Sequence, residues 1–210
     1  MSRAIRVVVF DLDGTLTAVD SLWRYLHDHF STWDHGRTAA YRYRNGEISY
    51  KEWAETDASL WAGASLPYVM KILDGISYRN GVAKVFRKLK ERGVTIVILS
   101  AGLSLLAEKA AKELGADLAI ANDLRTNNGH LTGEIDVKVA VDNKHEIVKQ
   151  IASQLNIPLE EIALVGDRGL DLANEECLKI AFMPKDEIAR READFVIESE
   201  DFSAILQYLI

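Results

Sequence analysis

The chain has 210 residues, of which 48% are hydrophobic and 27% charged, a size and composition that suit one large domain or a core domain with a smaller insert. The 32 acidic residues outnumber the 25 basic ones, and the resulting net charge of −7 argues against nucleic acid or an anionic membrane as a partner. The single cysteine, Cys177, cannot form an internal disulfide, and no apolar run is long enough for a signal h-region or a membrane span, so we expect a cytoplasmic monomer or homodimer.

Short apolar runs recur along the chain, beginning with IRVVVF at residues 5–10. The later runs lie at residues 94–99, 117–122, 161–166, 179–183 and 194–197. They are rich in β-branched residues and continuous rather than alternating, which is typical of parallel strands buried on both faces.

Amphipathic patterns separate these runs and predict helices at residues 81–93, 103–115 and 143–158. The first two end in glycine and the third ends at a proline. Alternating strands and helices predict an α/β fold, a Rossmann-like doubly wound parallel sheet with helices on both faces. The sequence NNG at 127–129 predicts a β-hairpin appended to that sheet.

Residues 18–78 contain no convincing strand run, and helix signals dominate there. Ser49 and Glu52 fit a capping box, and Pro67 fits the first turn of a further helix. We therefore predict a helical cap domain at residues 18–78, inserted after the first strand of a core domain formed by residues 1–17 and 79–210.

This cap segment, residues 18–78, holds all four tryptophans and six of the seven tyrosines. Trp53 and Trp61 are eight residues apart, which predicts that they share one helix face. The aromatic residues either form a small core of their own or line the roof of a pocket. Arg37, Arg42 and Arg44 either rim that pocket or form a solvated face.

Polar residues that suit phosphate chemistry follow the predicted strands or open the predicted helices. In an open parallel sheet, ligands bind beyond the carboxyl ends of the strands, so these residues should converge. They are Asp11, Asp13, Gly14 and Thr15 after the first strand, Ser100, Ala101 and Gly102 after the second, Lys144 in the first turn of a helix, and Asp167, Arg168, Gly169 and Asp171 after the strand at 161–166.

This set of residue types has a specific chemical logic. Asp11, Asp13 and Asp167 offer the hard oxygen ligands that Mg²⁺ prefers, and a metal would relieve the repulsion among them. Ser100 and a helix N-terminus behind it would supply donors for a phosphoryl group, and Lys144 would balance its charge. One carboxylate can then attack phosphorus while a second one transfers the proton.

These motifs resemble those of the haloacid dehalogenase-like hydrolase superfamily, most closely the phosphoserine phosphatase group with its small helical cap. The resemblance covers nearly the whole chain through DLDGT at 11–15, Ser100, Lys144 and GDRGLD at 166–171. It implies that Asp11 is the nucleophile and Asp13 the general acid/base. It also implies that the Asp11 carboxylate, the Asp13 main-chain carbonyl and Asp167 hold Mg²⁺. Further implied roles are phosphate binding by Ser100, Ala101, Gly102 and Lys144, and support from Thr15, Arg168 and Asp171, the last orienting Lys144 or a metal-bound water.

The chain departs from the phosphoserine phosphatase pattern at three positions. Asp20 stands where the group has a glutamate for the substrate ammonium, and Asp57 falls near the arginine that binds the substrate carboxylate. Leu170 replaces the asparagine common before the last motif aspartate. Because an acid at position 57 would repel a carboxylate, we expect that phosphoserine is not clearly the best substrate.

The motifs predict a Mg²⁺-dependent phosphomonoesterase that hydrolyses a small phosphorylated metabolite through an aspartyl-phosphate at Asp11. Two alternatives remain open at this point. The same aspartyl-phosphate would serve a phosphotransferase or phosphomutase, and a protein that retains the fold would serve as a non-catalytic binding protein.

Overall fold

In a computed structural model that describes residues 4–210, the chain forms a seven-stranded sheet with helices on both sides. The strands are β1 Val7–Phe10, β2 Thr95–Leu103, β3 Leu118–Asn127, β4 His130–Asp136, β5 Ile162–Gly166, β6 Leu178–Phe182 and β7 Phe195–Ile197. The α-helices are α1 Leu22–Phe30, α2 Trp33–Arg44, α3 Tyr50–Ser59, α4 Leu66–Leu73, α5 Val82–Glu91, α6 Ser104–Leu114, α7 Lys144–Leu155, α8 Glu187–Glu192 and α9 Leu206–Leu209.

The strand order is β4-β3-β2-β1-β5-β6-β7, and every pair is parallel except β3 and β4. Strand β1 lies at the centre, where Phe10 pairs with Ile98 on one side and Val165 on the other. The chain therefore leaves β1 at the point where the order reverses, which is where ligands bind in sheets of this kind. The predicted Rossmann-like fold is confirmed.

Apolar side chains cover both faces of the sheet. Alternate strand residues such as Val8 and Phe10 face α5 and α6, whereas Val7 and Val9 face α7 and α8. Because both faces are buried, the strands are continuously apolar and show no alternation. This continuous apolar pattern is the reason that the strands could be predicted from the sequence.

The predicted hairpin is present, with Asn128 and Gly129 both at positive φ in the turn between β3 and β4. It also contacts the cap segment. The Gly63 N–H donates to the carbonyl of Leu131, and the Leu131 N–H donates to the carbonyl of Ala64, each at 2.8 Å. The hairpin thus extends from the sheet to hold the chain between α3 and α4.

Helices α1 to α4 occupy the cap segment, and no strand of the described chain falls there. The Ser49–Glu52 capping box is formed at the start of α3, and Pro67 lies in the first turn of α4. The division into a core domain and a cap domain stays a prediction, because one apolar cluster runs continuously from Phe10 in the sheet to Trp61 in the cap segment.

Two helix predictions need correction. Helix α3 ends at Ser59, so Trp61 lies beyond it and does not share a helix face with Trp53. Both rings nevertheless pack against Trp23, at centroid distances of 5.4 Å and 5.8 Å. Helix α7 ends at Leu155 because Asn156 adopts a left-handed conformation before the proline is reached.

No helix among residues 4–210 combines the length and the apolar character that a membrane span requires.

Candidate active site

The site lies at the carboxyl end of the central strands. Asp11 directly follows β1, and Asp167 directly follows β5. Because β1 and β5 are neighbours in parallel register, the two carboxylates come out side by side. The Asp11 N–H donates to the carbonyl of Val165 at 2.9 Å, so backbone pairing fixes the position of Asp11.

Lys144 reaches this pair from the first turn of α7. Its Nζ atom donates to the Oδ1 atoms of Asp11 and Asp171, each at 2.5 Å. The lysine side chain is only 6% exposed and those of the two acids 8% and 9%, so solvent screens the contacts little. Asp171 is held in turn by the Arg168 N–H, which donates to Oδ2 at 3.0 Å.

Asp13 lies two residues further along the chain, in the irregular turn at Leu12–Leu16, where its own backbone is not helical. Its Oδ2 atom accepts a 2.6 Å hydrogen bond from the N–H of Leu22, the first residue of α1. Its Oδ1 atom is buried and has no hydrogen-bond partner. Asp13 therefore lies between the sheet and the cap segment, with one oxygen fixed and one free.

Two glycines allow this crowding. Gly14 has φ +83°, and a Cβ atom there would lie 2.3 Å from Oδ2 of Asp167. A Cβ atom on Gly166 would lie 2.3 Å from the Cβ of Asp171. The glycines of the two aspartate motifs are therefore needed for the acids to approach one another.

Burial and mutual repulsion raise the pKa values of the acids. Burial raises the pKa of Asp13 from its ordinary value of 3.8 to about 6. Burial, with the charge of Asp171 added, raises the pKa of Asp167 to about 7 and that of Asp11 well above its usual range. Burial disfavours the charged form of Lys144, but Asp11 and Asp171 outweigh it and raise the lysine pKa.

These acids fit a divalent cation. Asp11, Asp167 and Asp171 each offer a carboxylate oxygen, and the three atoms lie within 4.8 Å of one another. The Oδ2 atom of Asp167 is buried without a hydrogen-bond partner. Three carboxylates face one lysine, so the cluster has surplus negative charge and an unsatisfied oxygen, as hard-metal sites do.

Ser100, Ala101 and Gly102 line the same cavity. They lie within β2, which continues to Leu103, beyond the end of the strand predicted at residues 94–99, and helix α6 begins at Ser104, within one residue of its predicted start. The register with β3 shifts between Leu99 and Leu103, which marks a local irregularity here. The Gly102 N–H donates to the hydroxyl of Ser100 at 2.9 Å and fixes that side chain.

The carbonyl of Ala101 joins the cap segment to the sheet. It accepts hydrogen bonds from the Trp23 indole N–H at 3.3 Å and from the Tyr50 hydroxyl. It also accepts from the amide of Asn122 at 3.0 Å. Two residues of the cap segment and one strand residue therefore meet at residues 100–102, the segment predicted to bind phosphate.

Asn122 extends this junction to a third part of the site. Its amide also donates to the carbonyl of Val139 at 2.8 Å, and its Oδ1 accepts from the N–H groups of Lys138 and Val139, each at 2.8 Å. The segment that leads into Lys144 is thereby tied to Ala101. Sequence reasoning missed Asn122, although a polar residue that ends an apolar strand run is a signal worth following.

The two acids proposed for cap specificity lie in different places. Asp20 lines the cavity, and its Oδ1 is 3.0 Å from Nζ of Lys185. Asp57 does not line the cavity, because it is buried inside the cap segment, 1% exposed, with Oδ2 3.1 Å from Nε2 of His27. Its charge therefore does not face a substrate, and the sequence argument against phosphoserine loses its basis.

The remaining predicted residues are placed as follows. Thr15 is buried, and its hydroxyl donates to Oδ1 of Asp167 at 3.5 Å. Arg168 and Arg44 line the cavity, whereas Arg37 contacts Asp34 and Arg42 contacts Glu47 on the outer surface of the cap segment.

The family model of the haloacid dehalogenase-like hydrolases matches residues 8–173. The chain belongs to this family. The match includes every motif residue that sequence analysis singled out, from Asp11 to Asp171.

Phosphoserine phosphatases of similar length match this chain over nearly its whole length. The chain is 28% identical to the phosphoserine phosphatase of Methanocaldococcus jannaschii over 100% of both chains. It is 32% identical to that of Campylobacter jejuni subsp. doylei, over 98% of this chain and 100% of the relative. A structure described as a phospho-aspartyl intermediate analogue of phosphoserine phosphatase superposes with a TM-score of 0.83 at 27% identity, over 99% of this chain and 100% of that one. The chain is a phosphatase of this family, a phosphoric monoester hydrolase.

Proposed function

We propose that this chain is a Mg²⁺-dependent phosphomonoesterase that hydrolyses a small phosphorylated metabolite by way of an aspartyl-phosphate at Asp11. The observation that carries the proposal is the cluster of Asp11, Asp167 and Asp171 around Lys144 at the foot of a cavity. An acid cluster with surplus negative charge and a single buried lysine suits a metal and a phosphoryl group together.

The metal would be held by the carboxylates of Asp11 and Asp167 and the main-chain carbonyl of Asp13, with Asp171 close enough to add a ligand or to orient Lys144. When bound, Mg²⁺ lowers the pKa values of these acids and offsets negative charge on the phosphoryl oxygens. The raised pKa values of Asp11 and Asp167 support this assignment, because charged acids so close together need a compensating cation.

Asp11 acts as the nucleophile in this proposal. A carboxylate oxygen of Asp11 forms a bond to phosphorus while the bond from phosphorus to the substrate oxygen breaks and the electron pair leaves with the alkoxide. A water molecule then attacks the same phosphorus, releases inorganic phosphate and restores the Asp11 carboxylate.

Asp13 transfers the protons. In the first step it donates a proton to the leaving alkoxide, and in the second it takes a proton from the attacking water. Burial raises the pKa of Asp13 to about 6, which suits both directions of transfer near neutral pH. The hydrogen bond from the Leu22 N–H holds one carboxylate oxygen, and Oδ1 makes no hydrogen bond within the protein.

Ser100, Gly102 and Lys144 would bind the phosphoryl oxygens. Lys144 is charged and buried beside Asp11, and the Ser100 hydroxyl lies at the same cavity. Donors preset around the place where charge develops stabilise the transition state without reorganisation.

The proposed setting is the cytoplasm, and the proposed partner is a small phosphate ester. The buried, unpaired Cys177 suits a reducing compartment, and the cavity suits a small molecule.

The test is Asp11→Asn, assayed by release of inorganic phosphate from a panel of alkyl phosphate esters. We expect turnover to disappear while the thermal melt is retained, and we expect chelation of divalent metal to stop the wild-type enzyme. The matched control is Asp34→Asn, an exposed aspartate on α2, which should behave as wild type. Turnover that survives in Asp11→Asn would exclude this residue as the nucleophile.

A further inference from the structure

The cavity above the acid cluster is larger than a phosphate group requires. Its volume of about 370 Å³ lies in the range of pockets that enclose small organic ligands. The floor consists of the acids with Ser100 and Lys144, which the phosphoryl chemistry uses. The roof is available for the alcohol portion of the substrate.

Aromatic rings of the cap segment form this roof. Trp23, Tyr43, Tyr50 and Trp53 all line the cavity. Tyr43 stacks on Trp53 at a centroid distance of 5.1 Å with an interplanar angle of 6°, and Trp53 packs edge to face with Tyr50 at 5.3 Å. The rings therefore hold one another in place before any ligand arrives, which lowers the entropic cost of binding against them.

The polar side-chain atoms of two roof residues already form hydrogen bonds within the protein. The Tyr50 hydroxyl and the Trp23 indole N–H both donate to the carbonyl of Ala101. These residues consequently offer the substrate ring carbon rather than hydrogen-bonding groups.

The core side of the cavity adds apolar surface opposite the roof. Leu170 lines the cavity and is 49% exposed, although leucines are usually buried. Val141 lines the same cavity and is partly buried. Apolar groups thus approach the space for the alcohol from both parts of the molecule.

The charged groups at the mouth do not favour a cationic alcohol. Asp20 contacts Lys185, and the carboxylate of Asp186 accepts from the N–H groups of Gly169 and Ala189. Within residues 4–210, no ion pair is formed by Arg44 or Arg168, so both add positive charge at the cavity. Both arginines are exposed, so solvent weakens their attraction for a substrate carboxylate and their repulsion of a substrate cation alike.

We propose that the roof and Leu170 form a binding site for the alcohol portion of the substrate, and that this portion is a planar aromatic group. This inference rests on the proposed phosphomonoesterase function of the floor. Burial of a flat ring against fixed aromatic faces gives a shape fit that a serine-like alcohol does not obtain. A choline-like alcohol would gain a cation–π contact with the same rings instead, so the comparison with phosphocholine below decides between the two.

The first test compares four esters of primary alcohols, so that the leaving group changes little: benzyl phosphate, cyclohexylmethyl phosphate, phosphoserine and phosphocholine. We expect kcat/KM for benzyl phosphate to exceed that for phosphoserine and phosphocholine by about 10-fold, and that for cyclohexylmethyl phosphate by about 3-fold. A kcat/KM for any of the other three that equals or exceeds the benzyl value would overturn the inference.

The second test uses Tyr43→Ala, with Tyr43→Phe to retain the ring and Tyr41→Ala as matched control. Tyr41 lies on the same helix, is 64% exposed and does not line the cavity. We expect Tyr43→Ala to raise KM for benzyl phosphate about 5-fold with little change in inhibition by inorganic phosphate, Tyr43→Phe to recover most of that loss, and Tyr41→Ala to behave as wild type. An equal loss of affinity for benzyl phosphate and inorganic phosphate in Tyr43→Ala would contradict the roof assignment.

A third measurement separates this inference from the proposed function. Binding of benzylphosphonate and methylphosphonate is measured by calorimetry, because neither requires turnover. Tighter binding of benzylphosphonate supports the roof site even if no ester is hydrolysed, an outcome that would reject the phosphomonoesterase proposal alone. Equal binding rejects the roof site and leaves the phosphomonoesterase proposal standing.

Discussion

Two buried groups of charged residues differ in their balance of acids and bases. At the foot of the cavity, Asp11, Asp167 and Asp171 surround Lys144, and the acids outnumber the base. Inside the cap segment, Asp57 faces His27 one to one, and Thr32 holds the other imidazole nitrogen at 2.8 Å. Burial raises the pKa of an aspartate in both places.

The difference between the two groups is the balance of charge. The contact between Asp57 and His27 pairs one acid with one base, although the facing atoms meet no hydrogen-bond geometry. A cluster in which three acids share one lysine keeps surplus negative charge, which a divalent cation would offset. Burial of an aspartate alone is therefore a poor guide to function.

The largest expected effect comes from removing the only lysine of the cluster. Lys144→Met should lower kcat/KM by about 10²- to 10³-fold, because the developing charge loses its buried cation. Steady-state kinetics on an alkyl phosphate ester measure this effect. Lys149→Met is the matched control, because Lys149 is exposed on the same helix, and it should retain wild-type kinetics.

The opposite result is expected for the pair in the cap segment. Asp57→Asn should lower the free energy of unfolding by about 3 kcal/mol, because His27 loses its buried partner, while kcat of the folded enzyme stays near wild type. Urea unfolding and steady-state kinetics on the same preparation measure both quantities. A large fall in kcat with unchanged stability would place Asp57 at the substrate after all.

The raised pKa values of the buried acids also predict how stability depends on pH. A carboxyl group whose pKa is raised on folding stabilises the fold below its ordinary pKa, and this contribution is lost as pH rises through the folded value. For Asp13 and Asp167 the loss falls between about pH 4 and pH 7.

When a chelator has removed the metal, the free energy of unfolding should therefore fall by about 3 kcal/mol between pH 4 and pH 7 from Asp13 alone. Addition of Mg²⁺ should raise the free energy of unfolding more at pH 7.5 than at pH 5. Thermal melts at both pH values, with and without metal, measure this. Metal-induced stabilisation that is larger at pH 5 would contradict the account of the cluster.

The smallest expected effect concerns the junction at Ala101. Asn122→Asp loses the amide donors to the carbonyls of Ala101 and Val139 but keeps the side-chain shape, and we expect kcat/KM to fall about 10-fold. Tyr50→Phe removes one of the two hydrogen bonds from the cap segment to Ala101, together with the one that the Tyr50 hydroxyl accepts from Asn122, and should cost about 3-fold. Steady-state kinetics, together with inhibition by inorganic phosphate, distinguish a displaced phosphate-binding segment at residues 100–102 from a general loss of folded enzyme. A Tyr50→Phe loss larger than that of Asn122→Asp would show that the cap contact, and not Asn122, positions that segment.

Much of the fold was predictable, because its signals are local. Continuous apolar runs located the central strands, and the Ser49–Glu52 box and Pro67 located helix starts. The motif acids were found because parallel strands bring their carboxyl ends together. Each of these inferences needs only residues that are near in sequence.

The contacts within the cap segment and between it and the sheet were not predictable from spacing. Asp57 could be aligned with a substrate-binding position, but only the fold shows that it faces His27. Tyr50 and Asn122 are 72 residues apart and meet at one carbonyl. Such contacts depend on how the cap segment packs on the sheet, which no periodicity encodes.

The central claim is that the phosphoryl group passes through Asp11, and acid-quenched turnover followed by peptide mass spectrometry tests it most directly. We predict a phosphoryl adduct on the peptide that contains Asp11 in the wild-type enzyme, and none on that peptide in Asp11→Asn. An adduct on another residue, or phosphate release from Asp11→Asn at the wild-type rate, would contradict the account.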